Sequence, residues 1–227
     1  MALNFTTTRQ ASELSGIKVL VYGQAGIGKT VLCSTAPSPF LISAEAGELS
    51  LRGFDIPMVR IKTMNDLMEV YEWASKSKEA ENFETLCLDS ISEIAEVVLA
   101  NEKANTRDAR QAYGELITKM ESIIRAFRDI TGKNVYMSAK IEPFKDDLTG
   151  VVKYVPSMPG SKLSSKIPYF FDEVFRLAIK KAEDGTSFRF LQTQPDFQFE
   201  AKDRSGALDP MEKPDLTYVF NKIMKGN

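Results

Sequence analysis

Histidine is absent from this chain of 227 residues. That excludes histidine-based triads, histidine general bases and histidine-ligated metal centres in one step. Cysteine is scarce. Cys33 and Cys87 each sit in an apolar run, too few for a four-ligand zinc site and in the setting of buried thiols from a reducing compartment. No stretch approaches the ~18 consecutive apolar residues of a membrane span, and residues 1–15 are polar, without the apolar core of a secretory leader. No membrane partner is expected, and the chain reads as soluble and cytoplasmic. Positive charge is not in excess either: 29 Lys and Arg stand against 31 Asp and Glu, a net charge of −2. A protein that coats nucleic acid through bulk charge is excluded, so any such contact must come from local basic loops. Internal repeats, low-complexity linkers, helix-turn-helix patterns and zinc fingers are also missing.

What is present suits a packed α/β domain over residues 16–227, after a flexible N-terminal segment over 1–15. Hydrophobic residues make up 43% of the chain, enough for a proper core. Short β-branched runs alternate with helical periodicity. Residues 17–22, 40–43, 59–61, 85–89 and 134–138 read as strands, and 29–35, 65–76, 90–101 and 215–224 as helices. From Tyr113, apolar residues recur at Leu116, Ile117, Met120, Ile123, Ile124, Phe127 and Ile130, the spacing of a long core-facing helix. Residues 171–179 and 187–192 flank the Asp184-Gly185 turn as a hairpin, and 197–201 is expected to add a strand. The fold class that follows is α/β: a mostly parallel central sheet flanked by helices, with a C-terminal antiparallel extension.

Between the first strand and the first helix lies Gly23-Gln24-Ala25-Gly26-Ile27-Gly28-Lys29-Thr30, followed by Val31. It satisfies the phosphate-loop pattern in the context that pattern requires. Its glycines let the backbone curl so that several N–H groups face one anion, and the helix that follows adds its positive end. Lys29 is placed for the β- and γ-phosphates of a nucleotide, and the Thr30 hydroxyl for Mg²⁺. ATP and Mg²⁺ are the expected ligands; no Asn-Lys-x-Asp run signals guanine. Asp89 ends an apolar strand and is the natural second anchor for Mg²⁺. Many P-loop ATPases carry glutamate directly after that aspartate, but this chain has Ser90. The water-activating carboxylate must then come from elsewhere. Glu45, just past the 40–43 strand, is the first candidate and Glu48 the second.

The order of these pieces resembles the RecA/DnaB-type ATPase core, and most of all the short phage RecA-like proteins, core-only recombinases used in single-strand annealing. The resemblance runs over residues 16–224. It is carried by the phosphate loop, Ile42-Ser-Ala-Glu45, Leu86-Cys-Leu-Asp89-Ser90, Val135-Tyr-Met-Ser-Ala-Lys140 and Ala201-Lys-Asp-Arg-Ser-Gly206. It implies a single RecA-like P-loop NTPase core, a base at the position of Glu45, and self-association into a ring or a filament. By likeness to hexameric helicases, Lys202 and Arg204 would project into a neighbour's ATP site, where a fixed cation stabilises charge developing on the γ-phosphate. Lys140 stands near the family's γ-phosphate sensor, which in RecA is a glutamine.

The resemblance also implies single-stranded DNA as a partner, held by two loops that correspond to residues 101–111 and 142–161. The first carries Lys103, Arg107 and Arg110. The second carries Lys145, Lys153 and Tyr154, with Lys162 and Lys166 just beyond and the acids Glu142, Asp146 and Asp147 diluting the charge. A single-strand-binding protein is a further partner suggested by the same likeness, and a phage origin would place the chain in the host cell cytoplasm. The functions that follow are a DNA-stimulated ATPase of recombination or annealing, or an ATP-gated adaptor or loader for a replication protein with little hydrolysis. A small-molecule kinase is disfavoured, because no Arg-rich lid follows the long helix.

Overall fold

The computed structural model describes residues 5–8, 10, 15–145 and 150–226. The 1–15 segment and the acids Asp146 and Asp147 therefore fall largely or wholly outside the described residues. In chain order the elements are β1 (Lys18–Tyr22), α1 (Lys29–Cys33), β2 (Pro39–Ser43), β3 (Met58–Arg60), α2 (Met64–Lys76), β4 (Thr85–Asp89), α3 (Ile91–Asn105), α4 (Ala109–Arg128) and β5 (Asn134–Ala139). Then follow β6 (Ile141–Lys145), β7 (Val152–Pro156), α5 (Ser161–Ser164), β8 (Glu173–Lys181), β9 (Ser187–Gln192), β10 (Lys202–Asp203), β11 (Met211–Glu212) and α6 (Leu216–Lys225).

A nine-stranded sheet runs in the order β3-β2-β4-β5-β1-β8-β9-β11, with β10 also paired to β8. The strands from β3 through β8 are parallel, and β9, β10 and β11 join antiparallel. This is the expected α/β class: a parallel core with an antiparallel C-terminal extension, with β5 between the phosphate-loop strand and the strand of Asp89. β1 and β4 are buried at every position, because both faces of a parallel sheet are covered.

Alternate residues of β1 serve different layers. Leu20 and Tyr22 pack with α2, α3 and α4 on one face, while Val19 and Val21 pack with α1 and α6 on the other. α4 lays Ala112, Leu116, Met120, Ile124 and Phe127 onto the first face. Each of its large apolar side chains, at 1% exposure or less, contributes about 1.5–3 kcal/mol by leaving water.

Two local expectations change, and a third, the loop or exposed hairpin read over 142–160, is met as a hairpin. The polar stretch over 101–111 is not a loop: α3 continues to Asn105, and Asp108 caps α4 by accepting from the Arg110 amide at 2.8 Å. Residues 142–161 hold the β6–β7 hairpin and its exit. The expected strand over 197–201 does not form. Asp196 turns the chain there by accepting from the amides of Gln198 and Phe199, both at 2.8 Å, and pairing with β8 begins only at Lys202.

Candidate functional site

The parallel strands deliver their carboxyl ends to one edge, where β1 feeds residues 23–30, β2 feeds Glu45, β4 ends at Asp89 and β5 leads to Lys140. A cleft of about 600 Å³ opens there, lined by Lys29, Thr30, Glu45, Lys140 and Arg189 together with loop glycines. Two of the loop's glycines are structurally required, since Gly26 at φ 71° and Gly28 at φ 108° occupy conformations that L side chains rarely adopt. Lys29 is 8% exposed, and its ammonium donates to the carbonyls of Gly23 and Gln24, both at 2.9 Å. Burial pulls its pKa down, while the nearby carboxylates of Glu45 and Asp89 pull it back up.

Asp89 is 1% exposed. Its Oδ1 accepts from the Ser138 hydroxyl, but its buried Oδ2 has no hydrogen-bond partner among the described residues. Burial raises its pKa, opposed by the hydroxyls of Ser138 and Thr30. An orphaned carboxylate oxygen beside a threonine hydroxyl is the donor set of a hard divalent cation, so these residues fit Mg²⁺. Gly47 borders this corner, where a Cβ would stand 3.4 Å from the Thr30 hydroxyl, in ordinary van der Waals contact.

Glu45 enters from the loop after β2, whose register sets Ser43 opposite Asp89. The Ala44 amide donates to the Asp89 carbonyl at 2.9 Å and fixes the crossing. The carboxylate accepts from the Ser90 hydroxyl at 2.5 Å. The serine that replaces the common glutamate therefore holds a glutamate from the adjacent strand, in a place where an acid can face a phosphate. Glu48 is turned away and pairs with Arg60 at 2.7 Å.

The geometry is that of a P-loop site, and the family comparison agrees with it. The family model of the AAA domain matches residues 15–205. The chain belongs to the AAA domain family. Nucleotide binding by a P-loop ATPase fold is the property this membership carries. No curated protein sequence matches this AAA-domain chain. Among solved structures it is similar to a KaiC-like protein from the hyperthermophilic archaeon Pyrococcus horikoshii OT3, with a TM-score of 0.44 and 17% identity over 78% of this chain and 77% of that one. It is also similar to the flagellar accessory protein FlaH from Methanocaldococcus jannaschii, with a TM-score of 0.43 and 12% identity over 79% and 78%.

The remaining candidates of this AAA-domain chain are placed as follows. Lys140 reaches the cleft, but its ammonium is paired with Glu93, which raises its pKa. Lys202 and Arg204 lie at the opposite end of the sheet, where β10 pairs with the first residues of β8. The Lys202 ammonium donates to the carbonyls of Pro168 and Phe171, and Arg204 pairs with Asp172 at 2.8 Å. Neither reaches the phosphate loop of its own chain, so the role the resemblance gives them requires a second subunit.

The basic residues divide into two groups. Arg110 and Lys162 meet in a groove of about 570 Å³ with Tyr113 and Gly160, and Arg107 lies just before α4. Lys145 is exposed on the β6–β7 hairpin, Lys153 pairs with Glu200 at 3.3 Å, and Tyr154 stacks on Phe199 with ring centroids 5.1 Å apart. Two cleft and groove residues were not expected from the sequence, Arg189 and Tyr113. Tyr113 was legible only as the first residue of an apolar stripe. Arg189 carries no local signal, because strand pairing alone brings it to the loop.

Proposed function

We propose that this chain binds ATP with Mg²⁺, hydrolyses it, and couples turnover to single-stranded DNA in phage-type recombination or annealing. The observation that carries the catalytic part is the convergence of Lys29, Thr30 and Glu45 on one cleft, with Asp89 buried beside them. The amides of the phosphate loop and the Lys29 ammonium grip the phosphates. Thr30 and Asp89 would hold Mg²⁺, which would supply positive charge to the phosphate oxygens. Glu45, aimed by Ser90, takes the proton from the water that attacks the γ-phosphate.

The DNA part is supported by the groove at the start of α4. Tyr113 is 39% exposed there, and the Lys103 ammonium lies 5.5 Å from its ring centroid. Among the described residues, Arg107 and Lys162 show no ion pair, nor do Lys103 and Arg110, so their charge is available to phosphates. An exposed ring between unpaired cations suits a single strand, which offers a base to stack and a backbone to neutralise. Assembly into a ring or filament, and cooperation with a single-strand-binding protein, belong to the same reading.

Phosphate release with and without single-stranded DNA tests it, for the parent, Lys29→Ala and Tyr113→Ala. The expected result is stimulation by DNA, loss of turnover in Lys29→Ala, and in Tyr113→Ala basal turnover with weakened stimulation. DNA affinity should fall steeply with salt. Tight nucleotide binding with negligible turnover, indifferent to DNA, would instead favour the ATP-gated adaptor.

A further inference from the structure

β8 runs parallel to β1, with Arg176 opposite Tyr22. β1 stops at Tyr22, but β8 continues to Lys181. The last residues of β8 therefore stand past the end of β1, beside the phosphate loop. The packing there is close: a Cβ on Gly23 would come within 2.8 Å of the Leu177 carbonyl oxygen. β9 returns antiparallel along this overhang, with Arg189 opposite Ile179. The hairpin is thus a wall on one side of the cleft, and Arg189 faces the loop from it.

The contact is specific. The Arg189 Nε–H donates to the Ile27 carbonyl at 2.7 Å. Its Nε and Cδ lie 3.6 and 3.8 Å from the place a Cβ would take on Gly28. The side chain is therefore seated against the two residues that immediately precede Lys29. A guanidinium has five N–H donors in a rigid fork, and one of them is used here. Among the described residues, the terminal nitrogens have no other hydrogen-bond or ion-pair partner.

The charges around the cleft call for such a group. Lys29 is tethered to loop carbonyls, Lys140 is paired with Glu93, and Glu45 and Asp89 add negative charge. The Mg²⁺ of the ATP reading offsets part of that acid, and a multiply charged phosphate chain entering this cleft gains from a further fixed cation facing it. Arg189 is that cation, with its fork adjoining the loop amides that hold the anion.

We propose that Arg189 is a phosphate-binding residue supplied in cis by the β8–β9 hairpin, so that one subunit presents both Lys29 and Arg189 to the same nucleotide. The proposal rests on the ATP reading above and adds to it a ligand from an element outside the phosphate loop. It differs from the trans role of Lys202 and Arg204, which lie at the far end of the sheet.

The test is titration of ATP with Mg²⁺ into the parent, Arg189→Gln and Arg189→Lys, at several salt concentrations, with thermal midpoints of the nucleotide-free proteins measured alongside. Arg189→Gln is expected to weaken ATP binding roughly 10- to 100-fold, as for loss of a hydrogen bond to a charged group. Its affinity should also depend less on salt, because a charge contact has been removed. Its thermal midpoint should stay with the parent's, and Arg189→Lys should recover part of the affinity. Mixing Arg189→Gln with Lys29→Ala protein should give no more turnover than the sum of the two.

Equal ATP affinity in Arg189→Gln and parent overturns the proposal alone. So does a loss accompanied by a lowered midpoint and an unchanged salt slope, which would mean a purely structural contact. Recovered turnover on mixing overturns the cis assignment. A parent that binds no ATP overturns the ATP reading and this proposal with it.

Discussion

Glu45 shows how single residues are combined at this site. It comes from one strand and is held by a serine hydroxyl at the end of the next, beside an aspartate with an unpartnered oxygen. Neutralising its side chain without changing its shape should separate binding from chemistry. Glu45→Gln is expected to keep ATP affinity within a few-fold of the parent while turnover falls about 10²- to 10⁴-fold, the usual range for loss of a general base. Steady-state phosphate release run beside a binding titration checks this; an unchanged rate would move the base elsewhere. At this scale the sequence was informative where function follows contiguity. The phosphate loop and the strand-end aspartate are local patterns, so Gly23 to Val31 and Asp89 could be named. That Glu45 lines the cleft while an ion pair draws Glu48 to Arg60 needed the structure. Arg189 was out of reach, since its position depends on how far β8 overshoots β1.

Among the elements, the β8–β10 pairing holds a buried carboxyl that makes it sensitive to protonation. Glu173 on β8 is 1% exposed and lies opposite Asp203 on β10. Burial, and after it the Asp203 charge, push the Glu173 carboxyl up from 4.5 to about 8. Between those values the folded protein keeps a proton that the unfolded chain releases. Stability from this group is full below about pH 4.5 and is lost as pH rises toward about 8. Glutamine mimics the neutral acid. Glu173→Gln is therefore expected to match the parent in urea denaturation near pH 4.5 and to exceed its stability at pH 8.5. Parallel pH profiles for the two proteins would refute the assignment.

Element boundaries also show where sequence patterns stop being informative. The stripe of α4 was plain from its spacing. Its start at Ala109 depended on the Asp108 cap, and the polar residues before it gave a loop-like composition to what is largely helix. The run over 197–201 had strand-like composition, yet the turn built by Asp196 takes its backbone donors. Composition reports propensity, and a single side chain that captures two amides can override it.

The whole molecule places its chemistry by layering. Alternating strands and helices gave the parallel α/β class, because buried parallel strands read as continuous apolar runs. The strand order was not readable from composition. It matters because β5, between β1 and β4, brings Ser138 to Asp89 and leads into Lys140. Among the described residues no helix is long and apolar enough to cross a membrane.

The sulfur atoms follow from the same layering. Cys33 lies on α1 and Cys87 on β4, both at 0% exposure and in side-chain contact, and burial pushes the Cys33 thiol well above its ordinary range. They bridge the helix that follows residues 23–28 and the strand that ends in Asp89. A thiol reagent can reach them only when those two layers part, so their modification rate is an internal clock for that separation. Saturating ATP with Mg²⁺ at about 100 times its dissociation constant should slow the clock roughly 100-fold if only the closed form binds. A labelling rate indifferent to nucleotide would mean that the layers part without releasing the ligand.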